Sequence, residues 1–284
     1  MTLRLILIAA VVGLAGLEAL ADDANPTGRE IIERYLARQA VDSELAFVAM
    51  TISRPGLAKK EHRFLLAYRR ESDGAKKGLI RLVRPKDVEG VSVLALQDAK
   101  GNVETHVYMP ALGETTRLDG TALDKPFLGS DYSYKDLLAE VPSAHRYERL
   151  KDTQLRGTEC YQVRALENED GNNRRGYREL LIDKEKFQLV RITFHASDGK
   201  LIKTFMPYEY GSPQVKGETT RPRRAVMVKP GEDTWTDFVV VESRLNKDIP
   251  LEIFTTKQIE SWKPDEVTEF IFKLGITVLG TPTE

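Results

Sequence analysis

The stretch FQLVRITFHASDGKLIKTFMPYEY, residues 187–210, contains the pattern that decides the fold. In its first half, successive side chains would point to opposite faces of a strand. One face would carry Gln188, Val190, Ile192 and Phe194, and the other would carry Arg191 and His195. A period of two residues is typical of a β-strand with one dry and one wet face. The turn ASDG supplies Asp and Gly, which tolerate the backbone angles of tight turns. The stretch therefore predicts an antiparallel hairpin.

About eleven runs with strand character follow one another between residues 44 and 245, separated by turn signals such as RPG, SDG, AKGN and EDGNN. Short strands at near-regular spacing favour a large antiparallel meander over a parallel sheet with crossover helices. A sheet this wide curls, so its dry concave face must be filled by helices, by its own side chains or by a ligand.

The first candidate for that filling is NPTGREIIERYLARQA, residues 25–40. Four of its apolar side chains recur at helical intervals: Ile31, Ile32, Tyr35 and Leu36. Charged residues occupy the other face, which predicts an amphipathic helix packed on a larger surface.

The second candidate is GSDYSYKDL, residues 129–137. Asp131 is predicted to cap a helix, and Ser133 and Asp136 have the spacing of a capping box. The helix would present one apolar stripe and end at a proline: Tyr134, Leu137, Leu138 and Val141, then Pro142. A nucleophilic role for Ser130 would need a base, and the sequence shows neither a nearby histidine nor a G-x-S-x-G motif.

The third candidate is SWKPDEVTEFIFKLGITVLG, residues 261–280. Its apolar positions follow a helical repeat, with Val267, Phe270, Ile271 and Leu274 in one stripe. Pro264 in the first turn and Gly275 at the end bound a short helix that must dock to be stable. We expect it to pack near a ligand cavity, with Ile276, Val278 and Leu279 extending the contact, or to cover a sheet edge.

The N-terminus has the layout of a secretory signal peptide. Arg4 precedes an apolar run from Leu5 to about Leu17, and small residues lead to a cleavage site after Ala21. The run is short for a membrane span, although an uncleaved anchor is the alternative. A cleaved signal over residues 1–21 predicts an exported, periplasmic protein.

Composition and motif spacing argue against several classes of function. The net charge is -1, and it stays -1 without residues 1–21 because Arg4 and Glu18 cancel, so no bulk attraction to nucleic acid is indicated. Cys160 is the single cysteine and is expected to be a buried core residue. The four histidines lack the spacing of a metal site. We expect no metal, no cofactor and no catalytic residue.

Five stretches in order resemble the bacterial outer membrane lipoprotein-sorting protein family, the LolA-like proteins. They are VYMPALGETTRL (107–118), FLGSDYSYKDL (127–137), CYQV (160–163), SDGKLIKT (197–204) and IPLEIFTTKQIE (249–260). The resemblance covers roughly residues 40–260. One departure is ETTRL, where family members more usually carry further basic residues before Arg117.

The resemblance implies a mainly β fold with a few helices, an unclosed antiparallel β-barrel of about eleven strands wrapped over helices. Together with the N-terminal layout and the C-terminal helical pattern, it divides the chain into a signal peptide (1–21), the barrel domain (22–262) and a C-terminal helix and tail (263–284). It also implies an apolar cavity for lipid or lipoprotein acyl chains, which would pass to or from an inner-membrane transporter of the RND or ABC type and an outer-membrane acceptor.

Strand alternation suggests which side chains line that cavity. The candidates are Phe64, Leu66, Tyr68, Ile80, Leu82, Val93, Tyr108 and Tyr134. Two functions remain open: a periplasmic carrier of acyl chains, and a non-carrying interaction subunit or sensor of an RND-type lipid export complex whose interior is filled by its own side chains. An esterase is a third and weaker hypothesis.

Overall fold

The computed structural model describes residues 25–167, 176–211 and 221–276. The predicted signal peptide, Val278 and Leu279 lie outside the described residues. Within these ranges fourteen strands form one antiparallel sheet. The strands are β1 Ser43–Ser53, β2 Lys60–Arg70, β3 Lys76–Arg84, β4 Ser92–Gln97, β5 Val103–Met109, β6 Glu114–Leu118, β7 His145–Arg149, β8 Thr153–Leu155, β9 Thr158–Glu167, β10 Tyr177–Asp183, β11 Leu189–His195, β12 Leu201–Tyr210, β13 Pro222–Lys229 and β14 Thr234–Leu245.

The strand order is β6-β5-β4-β3-β2-β1-β14-β13-β12-β11-β10-β9-β7, with β8 paired to β9. The pairing of β1 with β14 joins the strands β1–β6 to the strands β7–β14 in one sheet. The two end strands, β6 and β7, do not pair with each other. The predicted class, an unclosed antiparallel barrel with a few helices, is confirmed. The eleven predicted strands are present, and the short strands β6, β7 and β8 are additional.

The sheet wraps its inner face over one helix and one irregular segment. Helix α1, Gly28–Arg38, buries Ile31 and Ile32 against apolar side chains of β9, β10 and β11. Its start is fixed by a capping box in which Thr27 and Glu30 exchange hydrogen bonds. Gly28 permits close approach, because a Cβ there would lie 2.9 Å from the backbone nitrogen of Arg149 in β7. The first predicted helix is confirmed.

The other part of the inner face is covered by a segment that is not an α-helix. Residues 127–138, here called the cover segment, contain two 3-10 turns, Phe127–Gly129 and Lys135–Leu137. A further 3-10 turn precedes the cover segment at Gly120–Asp124, and another follows it at Pro142–Ala144. The predicted helix capped by Asp131 is therefore wrong. Leu128 has a φ of 50°, a left-handed conformation that interrupts any helix there.

The outer face of strands β1 to β5 carries the C-terminal elements. A 3-10 turn, Leu251–Phe254, leads to α2, Thr256–Ser261, and α3, Pro264–Lys273. Val267 and Ile271 of α3 and Ile276 join a buried cluster with Phe47 and Leu65. The predicted C-terminal helix is confirmed, and it docks. Its expected position beside the candidate cavity is wrong, because Phe47 and Leu65 point away from the face that carries Phe64 and Leu66.

Candidate functional site

Five of the predicted lining residues form one continuous apolar wall on the inner face. Phe64 pairs with Leu82, Leu66 pairs with Ile80, and Ile80 pairs in turn with Val93. All five lie in one cluster with side chains of β1 and β14. Phe64 and Leu82 are 0% and 1% exposed, so the wall is closed to solvent around these two side chains, whereas Leu66 is only partly buried.

Tyr134 reaches the same wall from the cover segment. Its ring lies 5.6 Å from that of Phe127, which in turn meets Phe64 edge-on at 6.5 Å. Leu128 and Leu137 of the cover segment pack against the same cluster. The apolar side chains of the cover segment therefore occupy the surface that the sequence assigned to a ligand.

The two remaining predicted residues lie elsewhere. Val107, and not Tyr108, is the partner of Val93, so the ring of Tyr108 points to the outer face and packs against the cluster there. Tyr68 pairs with Gly78 near the far end of β2, where the guanidinium of Arg221 lies 5.3 Å from its ring. The structure does not bring these two side chains to the apolar wall.

Asp131 holds the cover segment to the sheet. Its carboxylate accepts hydrogen bonds from the hydroxyls of Thr234 at 2.9 Å and Thr236 at 2.7 Å, both on β14. Arg54, which follows β1, donates to the same carboxylate at 3.1 Å and to the carbonyl of Gly129 at 2.7 Å. The Asp131 side chain is completely buried. All of these bonds to the carboxylate come from distant parts of the chain, so Asp131 does not cap a helix. The contacts of Asp131 with Arg54, Thr234 and Thr236 are here called the latch.

A second set of polar contacts fixes the far end of the cover segment. The backbone N–H and hydroxyl of Ser133 donate to Asp136 at 2.6 and 2.8 Å, so the predicted local pair exists around a 3-10 turn. Asp136 also forms an ion pair with Lys203 of β12, and Lys135 pairs with Glu167 of β9. The cover segment is thus also held to β12 and β9, two strands in the half of the sheet that ends at β7.

Tyr132 joins the two halves of the inner face. Its ring lies 5.2 Å from Phe238 in the wall cluster and 6.3 Å from Phe205, which packs against the α1 cluster. Burial raises the pKa of the Tyr132 hydroxyl well above its ordinary value, and nearby carboxylates including Asp136 act in the same direction. That hydroxyl has no hydrogen-bond partner among the described residues.

Sequence reasoning missed a charged network that joins Glu140, which follows the cover segment, to side chains of β7 and β10. Arg178 donates two hydrogen bonds to Glu140, each of 3.0 Å. Tyr147 donates to the same carboxylate at 2.7 Å, and His145 lies 3.3 Å from it. Glu140 and Arg178 are 38 residues apart and show no spacing motif, so only the fold reveals the pair.

Charge and burial act in opposite directions on Glu140. Burial alone would raise the pKa of its carboxyl, but the charge and hydrogen bonds of Arg178, with help from His145 and Tyr147, hold that pKa below its ordinary value. Burial lowers the pKa of His145, and Glu140 offsets only part of that effect. The network is therefore built around an ionised carboxylate and a neutral imidazole.

Among the described residues, two clefts lie mainly outside the apolar wall. One of about 150 Å³ lies between α3 and β3, with Arg81 and Phe272 among its lining residues. The other, of about 270 Å³, lies between the β8–β9 turn, the start of β11 and the end of β12, with Arg191 and Met206 among its lining residues. The first cleft is also lined by Leu82 of the wall, and neither cleft includes Phe64 or Leu66.

Within the described ranges, no three or more His, Cys, Asp or Glu side chains are grouped so that they could hold a metal ion. No helix in the described part of the chain has both the length and the apolar character needed to cross a membrane. Cys160 is a buried free thiol, and burial raises its pKa.

Comparison with solved structures defines the class of protein. A domain from Vibrio parahaemolyticus assigned to outer membrane lipoprotein sorting has a TM-score of 0.74 at 20% identity, covering 82% of this chain and 98% of its own. A DUF1329 family protein from Desulfovibrio piger ATCC 29098 has a TM-score of 0.74 at 18% identity, covering 82% and 97%. A LolA superfamily protein from Nitrosomonas europaea has a TM-score of 0.66 at 19% identity, covering 82% and 99%. The fold is that of the LolA-like proteins.

The sequence gives a narrower assignment. A family model described as "-like: Uncharacterized protein" matches residues 74–261, and the chain belongs to that family. No curated protein matches the sequence. The predicted resemblance to lipoprotein-sorting proteins is confirmed at the level of the fold.

Proposed function

We propose that the protein is a periplasmic carrier that holds a lipid or lipoprotein acyl chain against the inner apolar wall. The observation that carries this proposal is the nature of the cover over that wall. Four apolar side chains of the cover segment pack on the wall: Phe127, Leu128, Tyr134 and Leu137. The cover segment contains neither an α-helix nor a strand. An acyl chain would take the place of these side chains when the cover segment moves.

The polar contacts of the cover segment make such an exchange physically reasonable. Asp131, Asp136 and Lys135 hold it by ion pairs and side-chain hydrogen bonds. Such contacts can be exchanged for contacts with water, whereas the backbone ladder of a central strand must break as a unit. The strands that form the wall can stay paired while the cover segment opens.

Energetics then require a partner for loading and release. Burying a chain of about sixteen carbons at about 0.8 kcal/mol per methylene stabilises the complex by on the order of 12 kcal/mol. Release into water would be slow, so the chain must pass directly to another apolar site. We propose an inner-membrane transporter of the RND or ABC type on one side and an outer-membrane acceptor on the other. A signal peptide over residues 1–21 would place the protein in the periplasm.

No bond chemistry is needed for this role. Ser130 donates its hydroxyl hydrogen to the carbonyl oxygen of Tyr132 at 3.2 Å, a turn contact that does not activate it as a nucleophile.

A second function is favoured by one specific observation. Phe64 and Phe127 are both 0% exposed, which is the packing expected of an interaction subunit whose interior is filled by its own side chains. In that case the partner would bind an outer surface and no lipid would enter.

Mass spectrometry of organic extracts separates the two functions. The protein is purified from the periplasm without detergent, and the extract is compared with that of a Leu66→Asp variant and of an Ile202→Asp control. Ile202 is 46% exposed, so its substitution adds the same charge outside the wall. A carrier yields bound lipid with wild type and control but not with Leu66→Asp. Folded wild-type protein that never yields lipid, even after incubation with lipid vesicles, would contradict carriage and support the subunit.

A further inference from the structure

The second cleft, of about 270 Å³, contains the side chain of Arg191, which forms no ion pair within the described ranges. Arg191 lies on the outer face of β11, because it pairs with Leu181 while the flanking Leu180 and Ile182 point into the inner α1 cluster. Met206 shares that outer face, since its neighbour Phe205 points inward. The cleft is therefore separate from the inner wall.

The guanidinium of Arg191 has unused hydrogen-bonding capacity. Its Nε is buried and has no hydrogen-bond partner, and no ion pair within the described ranges includes Arg191. Asp183, the acidic residue in the cleft lining, uses its Oδ1 to accept the backbone N–H groups of Glu185 and Lys186, each at 2.8 Å. A buried donor without an acceptor is unfavourable, and a guanidinium is well suited to bind an oxyanion through paired hydrogen bonds.

Other arginines on the same face show the contrast. Arg164 donates to Glu179 at 2.7 Å, and Arg224 pairs with Asp237 at 2.8 Å. These side chains already have carboxylate partners on neighbouring strands. Arg191 has Leu181 opposite it and no carboxylate partner within the described ranges, so a bound anion would supply the missing acceptor.

Apolar side chains border the cation. Leu155, Met206 and Pro207 line the cleft, and the ring of Tyr208 is 49% exposed at its side. Arg156, in the β8–β9 turn, supplies a second cation at the rim. A small inorganic anion would use the charge but leave these apolar surfaces in water.

We propose that this cleft binds the anionic group of an amphiphile, with a carboxylate or phosphate on Arg191 and the first part of an alkyl chain on Met206 and Tyr208. The site takes a single chain beside its charged group. It does not depend on acyl carriage at the inner wall, because none of the side chains of that wall lines this cleft.

Methionine methyl groups provide a reporter for each surface. Met206 lines the cleft, whereas Met50 is buried in the inner wall cluster. The full-length mature protein is labelled with ¹³C-methyl methionine and titrated with dodecyl phosphate, with inorganic phosphate and with the uncharged detergent dodecyl maltoside. The signal that is missing from the spectrum of Met206→Leu identifies the methyl resonance of Met206.

The expected result is a saturable shift of the Met206 methyl signal with dodecyl phosphate, weaker binding of inorganic phosphate, and little response to dodecyl maltoside. Arg191→Gln should weaken the binding of dodecyl phosphate roughly tenfold to a hundredfold, and Arg191→Lys should retain part of it. Lys151→Gln, which removes an exposed cation outside the cleft, should change nothing.

Three outcomes would overturn the proposal. If folded Arg191→Gln bound dodecyl phosphate with unchanged affinity, Arg191 would not be part of the binding site. Equal affinity for inorganic phosphate and dodecyl phosphate would show that the alkyl chain does not contribute to binding. A shift of Met50 without Met206 would place all binding at the inner wall, which would support the proposed carrier and contradict this second site.

Discussion

Asp131 and Thr236 are joined twice. The backbone N–H of Asp131 donates to the Thr236 hydroxyl oxygen at 2.9 Å, and that hydroxyl donates to the Asp131 carboxylate at 2.7 Å. Both groups are fully buried. This reciprocal pair places the cover segment on β14 at one position, and Arg54 closes the latch from the end of β1.

Asp131→Asn is expected to destabilise the fold by about 2 kcal/mol or more. The amide cannot balance the charge of Arg54, and its NH₂ group replaces one of the two buried oxygens that each accept a hydroxyl hydrogen, from Thr234 and from Thr236. Urea denaturation measures the change in free energy of unfolding. If Asp131 were a helix cap, Asn would serve almost equally well and the loss would be a few tenths of a kcal/mol.

The matched control is Asp124→Asn, the same substitution at an exposed position in the 3-10 turn that precedes the cover segment. Its expected effect is within about 0.5 kcal/mol. The latch also predicts that Asp131→Asn accelerates the uptake of a fluorescent fatty acid. Uptake at the wild-type rate in a folded variant would show that the cover segment does not control access.

Leu66→Asp is expected to abolish binding of that fatty acid while the protein stays folded. Leu66 is only partly buried, so the new carboxylate can reach water, but a charge in the wall opposes an apolar chain. Ile202→Asp should bind like wild type. Circular dichroism checks folding, and global unfolding of Leu66→Asp would instead make Leu66 part of a core that never opens.

Alternation along the strands predicted most of the wall, but it placed Tyr108 on the wrong face and it failed at a β-bulge in β11. Leu181 pairs with Arg191, but Ile182 pairs with Leu189, so Val190 is an extra residue in a β-bulge. Leu189, and not Val190, is therefore buried in the core. A bulge shifts the facing of side chains without changing the polarity pattern from which the strand was predicted.

Long-range polar contacts were the other limit of sequence reasoning. The pattern around Asp131 fits a local cap as well as a distant latch, because both use a carboxylate that accepts hydrogen bonds. What decides between them is Thr234 and Thr236, which lie more than a hundred residues away in β14. Sequence spacing contains no information on such a pairing until the strand order is known.

Acidification is expected to destabilise the protein in two steps through Glu140 and His145. The folded pKa of His145 lies below its ordinary 6.5, so the unfolded chain binds the proton more readily. The stability from the neutral ring is present above 6.5 and is lost as the pH falls below it. The folded pKa of Glu140 lies below 4.5, so its contribution is present above 4.5 and is lost at lower pH.

Thermal melts of wild type, His145→Gln and Glu140→Gln between about pH 7 and pH 3 test this expectation. His145→Gln should flatten the decline that begins near pH 6.5, and Glu140→Gln should flatten the part below about pH 4.5. Glu140→Gln should also be less stable at neutral pH, because Arg178 loses its carboxylate. Identical pH profiles for all three proteins would show that this network does not contribute to acid sensitivity.

Helix α3 is expected to act on stability and not on ligand exchange, because it packs on the outer face. Ile271 is 1% exposed in the outer cluster, while Phe272 beside it is 53% exposed. Ile271→Ala should lower the free energy of unfolding by about 2 to 5 kcal/mol through the cavity that it leaves, and Phe272→Ala should cost far less. Neither should change the rate at which a fluorescent fatty acid leaves the inner wall. Faster release from Ile271→Ala at a temperature where it remains folded would make α3 part of the gate and would contradict its assignment to the outer face.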